Sequence, residues 1–517
     1  MAVTLGQTQI SGISIPVGDI SGNVVTTQYL DANGTKPNIT YISRCGHNSL
    51  FILADGILYS TAATAGSFGN ATTGRGLSGT QPQNGLESLK QVPIPTTYPI
   101  VQVGAGYHCF AFALDSAGNL FTWGTNSSGQ CGNGTVAAIP TPILVATGVV
   151  KVYDDPSNGS FDVTNSRLFI LKTDGYVYGT GYNGYGALGI GSTTNASVFT
   201  RIKQVGGVDF AANSIVSLWN LGSIYGMTML QTTDGHIWVA GYNGYGQLGI
   251  GSVTSATYFT DTSGAWNGGD YTMVIRKVGG TWGWYDNVTV TAYGTTIVWA
   301  SNPSGVHSIR SSGFNAWGSI GNNTVTQQNS PVAITVGTGL IADMATFGGG
   351  PCSVHVLLTN GALYAWGYNG LGQLGVNDTV QRNLPTVVFA SGIRRLLHHG
   401  FNGYSQPHYA LAFIEDTSGI IYASGYNGCG QLGVGDATQR NVFTKCLISD
   451  CAPKVPDSIK FLGQTMSQPA QTAMFAVTSD NTIYGWGVNN QYSITRQSTN
   501  HVYAPLHFTL EKGERRY

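Results

Sequence analysis

The residues of this chain that are most capable of metal binding or acid–base chemistry are four histidines that recur just before predicted strands. They are His47, His108, His355 and His408. Four imidazoles around one channel could hold a metal ion or respond to pH. A repeated histidine that only hydrogen-bonds inside a folded ring explains the same pattern, and we favour this structural interpretation. The adjacent His398 and His399 lack a third ligand at a fixed spacing, so we expect neither a metal nor another cofactor.

A glycine-rich segment could in principle bind a phosphate. GYGQLG, from Gly244 to Gly249, satisfies the GxGxxG pattern of dinucleotide-binding folds. Those folds need a helix directly after the glycines, and no helical period follows here. The pattern also recurs from Gly184, Gly370 and Gly428. We therefore interpret it as a structural turn.

Catalytic motifs are missing from the sequence. It contains no nucleophile elbow, no HExxH and no carboxylate pair in a recognisable frame. Asp55, Asp174 and Asp234 stand in predicted hairpin turns, where turn chemistry explains them. We predict that the protein is not an enzyme.

The seven cysteines include no zinc-type CxxC pair. Cys131 takes the leucine position of a repeated GQLG, and Cys429 takes a tyrosine position of a repeated GYNGYG. Packed, reduced thiols are the favoured interpretation of both. Cys446 and Cys451 are close enough in sequence for a local bridge, which nothing requires.

One pattern organises the chain: a strand, a turn such as Asp-Gly, a second strand and then a glycine-rich box. Clear copies are DGYVYGTGYNGYGALGIG, DGHIWVAGYNGYGQLGIG, NGALYAWGYNGLGQLGVN and SGIIYASGYNGCGQLGVG. With weaker copies, eight units of about 60 residues tile the chain from residue 40 to 510. Alternating apolar residues and Asp-Gly turns predict short antiparallel strands, and this period predicts the blades of a propeller.

The box residues should shape the turn that joins neighbouring blades, with the leucine filling the gap between them. In the four clearest copies they are Gly181, Asn183, Gly186, Leu188, Gly189, Gly241, Asn243, Gly246, Leu248, Gly249, Gly367, Asn369, Gly372, Leu374, Gly375, Gly425, Asn427, Gly430, Leu432 and Gly433.

This box, GxNxxGQLGxG with an upstream aGxxH, resembles the repeat of the regulator of chromosome condensation family. The resemblance covers about nine-tenths of the chain. It implies an all-β fold, a β-propeller that usually has seven blades. Our count of eight units leaves seven or eight blades open.

The longest interval between boxes, from Gly241 to Gly313, is rich in aromatic residues. They are Trp266, Tyr271, Trp282, Trp284 and Tyr285. Large aromatic side chains beside glycine and asparagine are typical of a loop that contacts a sugar or a protein. Packing inside a blade is the alternative. We predict these residues as anchors for a host surface glycan or protein.

Composition narrows the possible partners. Charged residues are 9% of the chain, against roughly 25% in average proteins, and the net charge is −1. Without a basic cluster, nucleic-acid binding is not expected. No apolar run has membrane length, and the opening residues lack a secretory signal. We expect synthesis in a host cytoplasm and no membrane insertion.

Residues 1–39 differ from the repeats. Ile10, Ile13, Ile15, Val17 and Ile20 are spread through Gly, Ser and Pro without a helical period. Such an extended arm cannot bury its apolar side alone and should join the propeller or another subunit. We predict an arm over 1–39, a propeller over 40–510 and a tail over 511–517.

Three functional classes compete for this non-enzymatic scaffold. We favour a bacteriophage virion protein, a head or tail appendage in an oligomeric assembly that contacts other virion proteins through the arm and serves host attachment. The neutral composition, the arm and an opening stretch that resembles phage tail and appendage proteins support it. A cytoplasmic interaction propeller such as an exchange factor is the first alternative, and a secreted inhibitor or adhesin is the second.

Overall fold

The computed structural model describes residues 38–45, 49–61, 89–105, 110–153, 166–222, 225–285, 290–347, 352–400, 410–451, 455–468, 471–487 and 502–508. These residues form eight sheets, each built from consecutive strands of the chain, and the strand pairs are antiparallel apart from one parallel bridge in the fourth sheet. The protein is therefore an all-β propeller with eight blades, which confirms the predicted fold and decides the blade number.

The strands of blades 1 to 4 follow in chain order. They are β1 (Ile39–Cys45), β2 (Ser49–Ala54), β3 (Ile57–Thr61) and β4 (Leu89–Gln91); β5 (Ile100–Ala105), β6 (Ala111–Asp115), β7 (Leu120–Gly124) and β8 (Ile139–Ala146); β9 (Val149–Tyr153), β10 (Arg167–Lys172), β11 (Val177–Gly181) and β12 (Ala196–Arg201); then β13 (Lys203–Gln204), β14 (Val208–Asp209), β15 (Ile215–Leu221), β16 (Met227–Thr232), β17 (Ile237–Gly241) and β18 (Ala256–Asp261). A 3-10 turn, Val205–Gly207, joins β13 to β14, and this small hairpin pairs with the outer edge of blade 4.

Blades 5 to 8 contain the two short helices. The elements are α1 (Ser263–Trp266), β19 (Val274–Tyr285), β20 (Val290–Ser301), β21 (His307–Gly313) and β22 (Gln328–Ile334); β23 (Ile341–Phe347), β24 (Ser353–Leu358), β25 (Leu363–Gly367) and β26 (Arg382–Phe389); β27 (Ile393–Gly400), β28 (Leu411–Asp416), β29 (Ile421–Gly425) and β30 (Arg440–Lys445); then α2 (Ile448–Cys451), β31 (Ile459–Gln468), β32 (Gln471–Thr478), β33 (Ile483–Gly487) and β34 (Val502–Phe508).

The ring closes by contact between its first and last blades. The first strand of each blade lies innermost, and β31 of blade 8 contacts β1 of blade 1. The Ile39 amide donates to Asn481 Oδ1 at 3.3 Å across the same junction. Because each blade contains only consecutive strands, closure depends on this packing and not on a strand shared between the two chain ends.

The antiparallel order gives the propeller two different faces. The ends of the first and third strands of each blade, together with the described boxes of blades 2 to 7, lie on one face, which we call the box face. The tight turns between second and third strands lie on the other, which we call the hairpin face. Asp174 shows why such turns form: its carboxylate accepts from the Tyr176 amide at 3.0 Å and the Tyr178 hydroxyl at 2.6 Å.

Candidate interaction face

The box is a turn organised by its asparagine. Asn243 Oδ1 accepts a hydrogen bond from the Leu248 amide at 2.9 Å, and its Nδ2 donates to the carbonyls of Ser252 and Thr254 at 2.9 and 3.1 Å. Asn183, Asn369 and Asn427 make the equivalent bonds. All four asparagines are fully buried. A buried side-chain amide that hydrogen-bonds to backbone groups in two parts of a loop fixes the shape of that loop.

Each box of blades 2 to 7 lies against the fourth strand of the following blade. Gly251, after the box of blade 4, donates its amide to the Asn329 carbonyl of blade 5 at 2.9 Å. Gly246 has φ of +76°, and a Cβ built on it would lie 2.6 Å from Asn329 Cα. Glycine is therefore required here for both conformation and space. This contact joins blades in the manner expected from the sequence.

The box also delivers an apolar plug to the blade interface. Leu188, Leu248, Leu374 and Leu432 are fully buried. Cys131 occupies the same place in blade 2, also fully buried, and burial raises the pKa of its thiol to about 12. Cys429 is buried as well. Cys446 and Cys451 are both free, so the local bridge does not form in this structure.

One large aromatic side chain completes each described interface beneath the box. Phe199, Phe259 and Phe443 on fourth strands fill this place in blades 3, 4 and 7, while Trp366 and Trp486 on third strands fill it in blades 6 and 8. Trp366 Nε1 donates to the Ser319 carbonyl of the preceding box at 3.0 Å.

Trp266 takes this place in blade 5, where neither strand supplies an aromatic residue. It is 1% exposed, and its indole Nε1 donates to the Leu248 carbonyl at 2.9 Å. This differs from the exposed anchor that we expected from the sequence. Helix α1 brings Trp266 into the gap because Ser312 and Pro331 stand at the two strand positions. Trp266 is therefore a core residue.

The other predicted anchors have different surroundings. Tyr271 is 47% exposed on the hairpin side, with its ring centroid 4.8 Å from that of His236. Trp282, Trp284 and Tyr285 belong to β19, whose long pairing with β20 accounts for much of the extended interval. The side chains of these three residues lie outside the described part. The structure therefore does not gather the five aromatic residues into one exposed loop.

His355 is an interface residue in the core. It is fully buried in β24, its Nε2 lies 3.3 Å from the Leu374 carbonyl, and its ring packs between Phe347 and Phe443. Burial lowers its pKa to about 4, although the Leu374 carbonyl opposes this shift. The other three recurring histidines lie outside the described residues. Among the residues that are described, no group of His, Cys, Asp or Glu could hold a metal ion.

Sequence reasoning missed a row of half-exposed aromatic rings on the box face. Tyr185, Tyr225 and Tyr242 form a trio with ring centroids 4.9–5.2 Å apart, at the junction of blades 3 and 4. Tyr245, Phe314, Trp317 and Tyr368 continue across blades 4 to 6 with centroids 5.2–6.4 Å apart. We call these seven residues the aromatic belt. Six of the seven residues stand at the second or fifth position of a box, where we predicted roles only for the glycines, asparagine and leucine; Tyr225 lies outside the boxes, just before β16.

The belt is electrically neutral. The boxes of blades 3 to 5 carry no charged residue between Gly181 and Thr200, Gly241 and Thr260, or Gly313 and Ile334. Burial, followed by the neighbouring Tyr185, raises the pKa of Tyr225 to about 12. Its hydroxyl therefore stays protonated at physiological pH. The belt can offer ring faces and hydroxyl groups but no ionic contact.

The family comparison agrees with this architecture. The regulator of chromosome condensation (RCC1) repeat matches residues 117–153 and 360–396, and a second description of that repeat matches 100–130. The chain contains RCC1 repeats. The matched segments include the boxes or hairpins of blades 2 and 6.

Individual relatives are more distant. The Ultraviolet-B receptor UVR8 of Arabidopsis thaliana is 24% identical over 66% of this chain and 68% of its own length. The X-linked retinitis pigmentosa GTPase regulator of Homo sapiens is 27% identical over 30% of this chain and only 14% of its own length. The crystal structure of human WBSCR16 aligns with a TM-score of 0.49 and 18% identity, over 73% of this chain and 87% of that one.

No helix in the described ranges is long and apolar enough to cross a membrane.

Proposed function

We propose that this protein is a protein-binding propeller, an interaction module that uses the aromatic belt on its box face. The observation that carries the proposal is that the belt extends over blades 3 to 6 and that the boxes of blades 3 to 5 contain no charged residue. Half-exposed tyrosine and tryptophan side chains are enriched where proteins bind partners, because they bury much area at a low cost in side-chain entropy. The proposal includes no catalytic role.

Rigidity supports the belt as a binding surface. Tyr245 and Phe314 meet at 81°, and Trp317 and Tyr368 meet at 77°, so the rings hold one another edge to face. At one end of the belt Tyr185, Tyr225 and Tyr242 also pack against one another. Side chains that are already ordered lose little entropy on binding. The belt therefore suits a rigid, uncharged partner surface.

The narrower hypothesis of a bacteriophage virion protein receives no support from the relatives named above. The interaction propeller, which the sequence left as the alternative, fits them better. A glycan receptor is also unsupported, because Trp266, its first predicted anchor, is buried.

Affinity capture from the source cells tests the proposal. The wild-type chain is compared with Tyr245→Ala/Trp317→Ala and with the control Val198→Ala, whose 53% exposed side chain lies on the outer strand β12. We expect a captured protein that survives a rise from low to high salt, since no charge lies in the belt. It should be lost in the belt variant and retained in the control. Undiminished capture by a belt variant that melts like wild type would contradict the proposal.

A further inference from the structure

Every blade has a β-bulge near the start of its innermost strand, at the second residue in seven blades and at the third residue, Arg276, in blade 5. The residue before the bulge is buried and paired, the residue after it is paired again, and the bulge residue itself is skipped by the ladder and exposed. The eight skipped residues are Thr40, Val101, Val150, Val216, Arg276, Ala342, Arg394 and Lys460. They surround the axis on the hairpin face, and we call them the bulge rim.

The rim differs between its two halves. In blades 2 to 4 it presents Val101, Val150 and Val216, which are 56%, 56% and 48% exposed. In blades 5, 7 and 8 the same position carries a cation. The bulge itself does not require valine, because alanine, arginine and lysine adopt it elsewhere in the ring. Three exposed valines at equivalent places in successive blades therefore indicate a surface that something covers.

The three cationic side chains of the rim form hydrogen bonds or an ion pair with nearby polar residues. Arg276 Nε donates to Ser301 Oγ at 2.7 Å, and Lys460 Nζ donates to Asn481 Oδ1 at 2.8 Å. Arg394 pairs with Asp457. These polar side chains keep their end of the rim hydrated, so an apolar occupant is confined to blades 1 to 4.

The chain itself supplies a segment of the right chemistry next to this half. Asn38 is fixed at blade 1, where its amide donates to Asp55 Oδ1 and its carbonyl accepts from the Asp55 amide, both at 3.2 Å. Residues 1–37 directly precede Asn38 in the chain, and Asn38 lies on the hairpin face. They carry Ile10, Ile13, Ile15, Val17 and Ile20, and no lysine or arginine before Lys36.

We propose that residues 1–37 of the same chain cover the apolar half of the bulge rim. Ile20 stands eighteen positions before Asn38, and an extended chain of that length spans up to about 60 Å, so the isoleucines can reach across several blades. Attachment at Asn38 gives the segment a high effective concentration at the rim. This contact is independent of the aromatic belt, which lies on the opposite face.

Site-specific photocrosslinking in the full-length chain tests the contact. A benzophenone side chain at Val150 should crosslink to a peptide from residues 1–37 within the monomer, whereas the same probe at Arg394 should not. A crosslink whose yield rises with protein concentration and joins two chains would overturn the intramolecular contact in favour of a second copy. A Val150 probe that never captures residues 1–37 would overturn the proposal.

Limited proteolysis supplies a second measurement. Val101→Asn/Val150→Asn/Val216→Asn should expose the N-terminal segment and speed its removal by a non-specific protease about tenfold or more. The matched control Val198→Asn/Val205→Asn/Val208→Asn changes equally exposed valines on the outer rim and should leave the rate unchanged. Equal rates in both variants and the wild type would contradict the contact.

Discussion

Blades 6 and 7 show two solutions to the same packing problem. In blade 6 the aromatic residue beneath the preceding box is Trp366 on the third strand, and the fourth strand has Pro385. In blade 7 the third strand has the small Ser424, and Phe443 on the fourth strand fills the space. The box glycines above them, Gly321 and Gly375, are equivalent. Each of these interfaces therefore needs one large aromatic side chain beneath the box, and either the third or the fourth strand can supply it.

The same exchange recurs around the ring. Small third-strand residues accompany phenylalanine on the fourth, and third-strand tryptophan accompanies proline. The pairs are Thr180 with Phe199, Ala240 with Phe259, Ser424 with Phe443, Trp123 with Pro142, Trp366 with Pro385 and Trp486 with Pro505. Close packing explains the rule, since two aromatics would not fit and none would leave a cavity.

Removing the tryptophan of blade 6 should have the largest effect. Trp366→Ser loses a fully buried indole and its bond to Ser319, and should cost about 3–5 kcal/mol of unfolding free energy. Adding Pro385→Phe converts the blade to the other type and should recover about half of the loss. Denaturant unfolding of the three proteins measures this. A double variant no more stable than Trp366→Ser would show that the third and fourth strands cannot replace each other as the source of the aromatic side chain.

Both types of blade interface require the box turn, in which a glycine contacts the backbone of the following blade. Gly246→Ala should cost about 2–4 kcal/mol, because positive φ and the close Asn329 backbone act together. Gly305→Ala is the matched control: its φ is +79°, yet nothing lies within 4 Å of the added Cβ. It should cost only about 1–2 kcal/mol. Equal losses in thermal melts would show that crowding by the next blade is unimportant.

The smallest expected effect is a pH dependence of the unfolding free energy that arises where blade 6 packs on blade 7. His355 packs on Phe443 of blade 7, and burial lowers its pKa to about 4, below the usual value near 6.5 for an unfolded chain. The unfolded state therefore binds the extra proton first. Stability from this group is complete above pH 6.5 and falls by up to about 3 kcal/mol as pH drops towards 4.

His355→Gln removes the titration and retains a side-chain donor for the Leu374 carbonyl. Its unfolding free energy should fall less steeply than that of the wild type between pH 6.5 and 4. Parallel profiles would mean that the buried imidazole does not control this part of the stability curve.

The box residues, Trp266 and His355 show which features could be predicted from the sequence and which could not. The sequence singled out the box asparagines and leucines because each repeat carries its own local turn chemistry, and in the structure these asparagines bond within the turn and these leucines are buried. Trp266 was predicted as a surface anchor and lies in the core. Its burial depends on Ser312 and Pro331, far away in sequence, and nothing near Trp266 reveals that gap. Likewise His355 was grouped with three other histidines by its place in the repeat, while its strand register puts it between two aromatic rings.

The sequence by itself determined the repeat, the antiparallel strands and the propeller, because hairpin turns and two-residue alternation act within about 60 residues. Only the tertiary structure decided that eight blades close the ring, which strand supplies each interface aromatic, and which side chains form the belt and the bulge rim. Those features arise where successive blades meet. Packing between residues about one repeat apart sets them, and no local pattern in the chain encodes which neighbour fills a shared space.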